Sequence, residues 1–243
     1  MSIDHPRSRS ERPLGAEPAA LEGGLIVSCQ AAPGSPLHGP VHMTAMAHAA
    51  ELGGAVAIRA NGTADVRAIA SSTALPLIGL WKDGDDGVYI TPTVGHAVAV
   101  AEAGADIVAV DGTARPRPDG ETLGDIIVAL HARGVLVMAD VSTFEEGIAA
   151  SEAGSDLVST TLSGYTPDSP PGPEPDFGLI TALSSRLSVP VIAEGRLRTP
   201  DDVSAAFRAG AFSVVVGTAI TAPTWITRRF ADAAPCHLSA PLP

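Results

Sequence analysis

A short phrase recurs four times along the chain, and its spacing limits what the chain can become. Glu51-Leu52-Gly53-Gly54 leads into a run ending at Arg59, and Glu102-Ala103-Gly104-Ala105-Asp106 into Ile107–Asp111. Glu152-Ala153-Gly154-Ser155-Asp156 leads into Leu157–Thr161, and Arg208-Ala209-Gly210-Ala211 into a run ending at Gly217. Each reads as a helix end, a glycine cap and a short buried strand. The glycines at 53, 104, 154 and 210 lie 51, 50 and 56 residues apart. That interval is too long for one βα unit and fits two, so the phrase marks alternate strands of a parallel βα array.

The other strands follow from the same kind of run. Segments rich in Val and Ile, with little alternation, fall at Leu25–Gln30, Val56–Arg59, Leu77–Lys82, Ile107–Asp111, Val135–Asp140, Leu157–Thr161, Val191–Glu194 and Val214–Gly217. Strands covered on both faces require such runs. Eight of them, alternating with helical patterns, predict an α/β fold: a (β/α)8 TIM barrel with its chemistry at one rim. The competing fold, an open doubly wound sheet, usually carries a glycine-rich dinucleotide turn after its first strand. Here the first strand runs into Ser28-Cys29-Gln30-Ala31 instead. Helix starts are expected at Thr91-Pro92-Thr93 and Thr199-Pro200-Asp201, each a cap followed by proline, with a capping box at Ser142-Thr143-Phe144-Glu145.

Composition narrows the function classes. The 243 residues carry 15 Lys+Arg against 27 Asp+Glu, a formal charge of −12. An acidic chain without a basic cluster argues against nucleic acid and anionic membrane surfaces as partners, and an anionic ligand must be held by a few local groups. Cys29 and Cys236 are far apart and lack ligand-spaced partners, which suits a reducing compartment and no disulfide framework. No signal peptide and no run near membrane-spanning length is visible, so the expected location is cytoplasmic. The expected organisation is a disordered extension over residues 1–22, one barrel domain over 23–232 and a flexible tail over 233–243. His38 and His42 are four apart but lack a third ligand in a Gly/Pro-rich stretch, so no metal site is expected.

In such a barrel, polar residues at the C-terminal strand ends face the site. Those ends read Gln30, Arg59, Lys82, Asp111, Asp140, Thr161, Glu194 and Gly217-Thr218. A strand-end Asp often caps the next loop, and Lys82 followed by Asp83, Asp85 and Asp86 fits a solvated loop, so the argument rests on the set. A lysine and a glutamate facing one small molecule suit proton transfer at a carbon beside a carbonyl. Arg59 is a candidate neighbour that would make Lys82 a better base. Glu194-Gly195-Arg196 and Gly217-Thr218 follow the last two strands, where many barrels bind phosphate through backbone N–H groups. The proline-rich stretch Gly164–Pro173 is long for a βα loop and reads equally as a lid or as a rigid surface loop.

These residues resemble the bacterial N-acetylmannosamine-6-phosphate 2-epimerase family, also called N-acylglucosamine-6-phosphate 2-epimerases. The resemblance runs from about Gly24 to Phe230. It rests on GLIVSCQA at Gly24–Ala31, AIRANG at Ala57–Gly62, GLWKD at Gly79–Asp83, YITPT at Tyr89–Thr93 and VDGTARPRPDG at Val110–Gly120. It continues in ADVSTFEEG at Ala139–Gly147, TTLSGYT at Thr160–Thr166, AEGR at Ala193–Arg196 and VVGTAIT at Val215–Thr221. Nine matches in order are specific where one alone is not. The resemblance implies a barrel of the phosphate-binding type that converts N-acetylmannosamine 6-phosphate to N-acetylglucosamine 6-phosphate in sialic acid catabolism. It implies no redox cofactor and a homodimer.

On that resemblance Lys82 falls on the catalytic base and Glu194 on its acid/base partner. Gln30, Arg59 and Asp140 fall on substrate-binding positions, and Gly195, Arg196, Gly217 and Thr218 on the phosphate-binding loops. The chain departs from the family pattern in its long N-terminal extension and in Gly112, where an alanine is expected after Asp111. Two alternatives remain at this point. Another sugar-phosphate isomerase or aldolase could use Lys82 as a Schiff base, and a non-catalytic sugar-phosphate sensor would be expected to lack Lys82 or Glu194.

Overall fold

A computed structural model describes residues 18–235. Most of the expected extension (residues 1–17), most of the expected tail (236–243) and Cys236 lie outside the described residues. The elements are β1 (Leu25–Cys29), α1 (Pro40–Leu52), β2 (Ala57–Asn61), α2 (Thr63–Ala70), β3 (Leu77–Leu80) and α3 (Val94–Glu102). Then come β4 (Ile107–Asp111), α4 (Leu123–His131), β5 (Leu136–Asp140), α5 (Phe144–Glu152), β6 (Leu157–Ser159) and α6 (Phe177–Arg186). The chain continues through β7 (Val191–Ala193), α7 (Pro200–Arg208), β8 (Ser213–Val216), α8 (Thr218–Thr221) and α9 (Pro223–Asp232). The eight strands pair in parallel in sequence order, and β8 closes on β1, giving the expected (β/α)8 barrel.

The register explains which side chains meet. Ile26 pairs with Ala57, Arg59 with Ile78, Ile78 with Ile107, and Asp111 with Asp140. Successive side chains of a strand alternate between faces. One set, Ile26, Ala57, Ile78, Ile107, Met138, Leu157, Ile192 and Val215, packs into a single cluster inside the ring. The intervening residues, such as Val27, Ile58, Val108, Val137 and Val158, pack outward under the helices. Continuing the inward parity to the C-terminal ends gives Gln30, Asn61, Lys82, Asp111, Asp140, Thr161 and Glu194. A filled apolar interior therefore ends in a polar layer, and the mouth sits on top of a solid core.

Several local expectations shift by a residue or two. At the rim β1, β3, β6, β7 and β8 end one or two residues short of the apolar runs, because the chain leaves the ladder there, whereas β4 and β5 end as expected and β2 runs on past Arg59 to Asn61. Lys82 lies beyond β3 in an isolated antiparallel bridge with Ile90. The helix after Thr91-Pro92-Thr93 does not start at the proline: Thr93 is the cap and α3 begins at Val94. Thr91 instead has φ 47°, is fully buried, and its hydroxyl donates to the Ala109 carbonyl at 2.7 Å. The capping box at α5 is Thr143 with Glu146, one residue later than expected. That phase lets the Glu146 carboxylate accept from the Ser142, Thr143 and Ala114 backbone N–H groups as well. Thr199 caps α7 with Pro200 at its first position, as expected. In the repeated phrase the left-handed residue is Gly54 (φ 95°), matching Gly104, Gly154 and Gly210, while Gly53 is helical.

The packed structure also begins earlier than residue 23. Pro18–Leu21 form a 3-10 turn, and Leu21 is fully buried with the inward cluster. Gly23 N–H donates to the Phe212 carbonyl at the start of β8. Leu21 thus closes the barrel floor, opposite the mouth. Gly112, the departure from the family pattern, donates its N–H to the Asp140 carbonyl at 2.7 Å. A Cβ there would meet the Ala139 Cβ at 2.9 Å, so this backbone accepts nothing larger without moving.

Candidate active site

A cavity of about 840 Å³ opens at the C-terminal end of the strands. Gln30, Arg59, Lys82, Glu194, Gly195, Arg196, Gly217 and Thr218 all line it. The strand ends thus bring together eight of the nine residues singled out from the sequence. Asp140 is the exception: it is fully buried beneath the cavity. Its reach toward a ligand is blocked by its partners, since Oδ2 pairs with Arg59 and Oδ1 lies 2.7 Å from the Thr161 hydroxyl. Asp111, the other strand-end aspartate, also stays out of the cavity. It pairs with Arg115 at 2.7 Å and takes the Thr113 hydroxyl and N–H, the ordinary role of capping its own loop.

Arg59 is the hub. Its guanidinium is almost fully buried and pairs with both Asp140 and Glu194. Burial alone would lower its pKa; the two carboxylates outweigh that and hold it above the usual arginine value. Burial pushes the Asp140 carboxyl well up; Arg59 and the Thr161 hydroxyl oppose this, and the Glu194 charge adds to it. The Lys82 backbone N–H donates to Asn61 Oδ1 at 2.8 Å, which ties the lysine to the end of β2. Its side chain is reachable from the open mouth yet flanked by protein. That crowding, and then the Arg59 charge, pull its pKa below the ordinary lysine value against the pull of Glu194 and Asp140.

The charge of the cavity is opposite to that of the chain. Arg59, Lys82, Arg196 and Arg198 line it, and among the described residues Glu194 is its sole carboxylate. On a molecule of formal charge −12 this concentrates positive potential where an anion would enter. Gly195 has φ 110°, a conformation open to glycine at little cost, and Gly217 leads directly into α8. Arg196 takes a different path from the one expected. Its Nε donates to the Glu174 carbonyl at 2.6 Å and its Nη1 to the Ser163 carbonyl, while the guanidinium sits 5.5 Å from the Tyr165 ring centroid.

Arg196 thereby ties down the proline-rich stretch. Within it Thr166 and Ser169 are buried, and the Thr166 hydroxyl reaches Ser142 at 2.8 Å. The stretch is anchored at both flanks through Arg196, with Tyr165 at the cavity edge. His38 Nδ1 lies 3.0 Å from the Ala31 carbonyl. No group of three or more His, Cys, Asp or Glu suited to a metal occurs among the described residues. Cys29 is a free, buried thiol, and burial pushes its pKa up to about 12.

Sequence reasoning passed over several lining residues. Asn61, Tyr89, Tyr165, Arg198 and Trp225 line the cavity without having been singled out, and Thr161 stood on the rim without a role. Parity would have found two of them: Asn61 and Thr161 are each two residues past an inward-facing strand position. Arg198 and Trp225 carried no such signal. They meet in space, with the Arg198 guanidinium 6.0 Å and the Arg229 guanidinium 4.8 Å from the Trp225 ring.

Residues 43–235 match the family model described as "Putative N-acetylmannosamine-6-phosphate epimerase" (NanE). A Cutibacterium acnes protein named "Putative N-acetylmannosamine-6-phosphate 2-epimerase" is 52% identical over 218 residues, covering 88% of this chain and 95% of that protein. One of the same name from Caldanaerobacter subterraneus is 54% identical over 214 residues, covering 86% of this chain and 90% of that protein. The solved N-acetylmannosamine-6-phosphate 2-epimerase of Clostridium perfringens superposes with a TM-score of 0.86 at 47% identity, covering 89% of this chain and 96% of that one. A Pyrococcus furiosus thiamine phosphate pyrophosphorylase, 18% identical with a TM-score of 0.57, shares the fold alone. By sequence along most of its length and by architecture, the chain belongs to the N-acetylmannosamine-6-phosphate epimerase family.

Proposed function

We propose that this protein inverts C2 of N-acetylmannosamine 6-phosphate, giving N-acetylglucosamine 6-phosphate, by removing and returning a proton. The observation that carries the reading is that Lys82 and Glu194 line one cavity that is otherwise cationic. The sugar opens to its aldehyde, which makes the C2 proton acidic. Neutral Lys82 takes that proton on one face, leaving an enolate and an ammonium. Protonated Glu194 gives a proton to the opposite face, directly or through water, and solvent resets both groups. Arg59 stabilises the enolate charge, and Asp140 acts by holding Arg59.

The remaining assignments have their own support. Gln30 Oε1 is buried without a protein partner, while its Nε2 donates to Ser28 Oγ at 2.9 Å. An acetamido N–H or a sugar hydroxyl would satisfy that oxygen. The phosphate would lie against Gly195, Gly217 and Thr218. Arg196, with two nitrogens committed to carbonyls, contributes charge and a fixed loop. The substrate reading also suggests a place in cytoplasmic sialic acid and amino sugar catabolism. The homodimer expected from the resemblance is supported by α9, which buries no residue of its own and leaves Phe230 76% exposed.

Turnover of N-acetylmannosamine 6-phosphate in heavy water, followed by proton NMR, tests the reading. Deuterium should appear at C2 of the product; complete retention of the original hydrogen would overturn it. Borohydride with substrate should trap no covalent adduct, and an adduct on Lys82 would point to Schiff-base chemistry instead.

A further inference from the structure

We infer that Thr161 is a positioning residue for the proton-transfer pair, its hydroxyl fixing the Glu194 carboxylate relative to Arg59 and Asp140. The inference rests on the proposed reading of Lys82 and Glu194.

One oxygen touches Glu194, Arg59 and Asp140 together. Thr161 Oγ1 lies 2.7 Å from Asp140 Oδ1, 3.1 Å from Glu194 Oε2, 3.4 Å from Arg59 Nη1 and 2.8 Å from Ser159 Oγ. A hydroxyl has one proton to give and two lone pairs to receive with. Arg59 and Ser159 can fill the lone pairs, so the single proton serves either Asp140 or Glu194, never both. When Glu194 is ionised, the proton can turn to it. When Glu194 carries a proton, the Thr161 proton stays on Asp140 and its oxygen can accept from Glu194 in place of Arg59 Nη1, the longest of its four contacts. A rotation of one O–H bond, with the exchange of one accepted contact, thus suits both charge states of Glu194 with no movement of the carboxylate.

The neighbouring residue makes the arrangement rigid. Thr160 Oγ1 donates to the Glu194 carbonyl at 2.9 Å and accepts from the Glu194 N–H at 3.1 Å. Two consecutive residues at the end of β6 therefore hold Glu194, one by its main chain and one by its side chain. Alternating parity permits this: Thr160 follows the outward set and Thr161 the inward one. The charged groups bearing on Asp140 are Arg59 from β2, Asp111 from β4 and Glu194 after β7; Lys82, after β3, interacts with Asp140 in turn.

The test compares Thr161→Val, which keeps shape and loses the hydroxyl, with Thr161→Ser, which keeps the hydroxyl. Valine should lower kcat by about ten- to a hundredfold, the scale of one hydrogen bond to a charged group, with KM nearly unchanged. On the rising side of its kcat–pH profile, the ionisation of Asp140, distinct from that of Lys82, should move to higher pH, because Asp140 loses a donor that favours its ionised form. Serine should restore rate and profile. Thr161→Ala is read in the same way if valine impairs folding. Wild-type kcat and profile in a folded Val or Ala variant would overturn the inference. So would a serine variant as slow as valine. If Lys82→Ala and Glu194→Gln are both inactive while Thr161→Val behaves as wild type, this inference alone has failed. If either of those variants stays active, the proton-transfer reading itself has failed.

Discussion

In the proposed reaction Lys82 must spend part of each cycle as a neutral amine, and its surroundings favour that. Crowding by protein and the Arg59 charge both disfavour its ammonium. kcat should therefore rise with pH along a limb centred below 10.5, the ordinary lysine value. A limb at or above that value would show that Lys82 is not the group being titrated. Lys82→Ala should abolish turnover while leaving thermal stability and phosphate binding intact, and activity within about tenfold of wild type would remove it from the mechanism. At this scale the sequence was legible where a side chain's place depends on its own strand. Gln30, Lys82 and Glu194 follow from position alone. Asp140 and Arg196 did not, because their partners, Arg59, Thr161, Ser163 and Glu174, come from distant parts of the chain.

The eight strands were readable as apolar runs because a closed barrel buries both faces of each strand. Rim boundaries were less readable, since a run of Val and Ile does not say where the ladder ends. The α3 start was misplaced because the signal at Thr91-Pro92-Thr93 is ambiguous: either threonine could cap, and tertiary contacts decide. Thr91 is recruited to bond Ala109 across to β4, which leaves Thr93 for the helix. Packing between strand and helix makes a sharper prediction. A Cβ on Gly79 in β3 would lie 2.6 Å from Val100 Cγ1 and 2.7 Å from Ala105 Cβ. Gly79→Ala should destabilise the protein by about 1–3 kcal/mol, measured by urea denaturation. A neutral effect would mean that α3 can withdraw from β3.

As a whole the molecule repels anions, yet its mouth attracts them. If the cations of the cavity draw the substrate in, kcat/KM for the sugar phosphate should fall as ionic strength rises. The effect should weaken in Arg198→Gln, which removes an exposed cation at the rim. A salt-independent kcat/KM would make those charges contact groups only. The proposed dimer is tested at this scale too. Phe230→Asp should shift the sedimentation coefficient to that of a monomer, and an unchanged dimer would move the interface away from α9.

The described chain begins at the end of the barrel away from its mouth. Leu21 seals the base, whereas α9 brings Trp225 to the entrance. An enzyme immobilised through a linker ahead of Pro18 would stand with its opening toward the bulk solution.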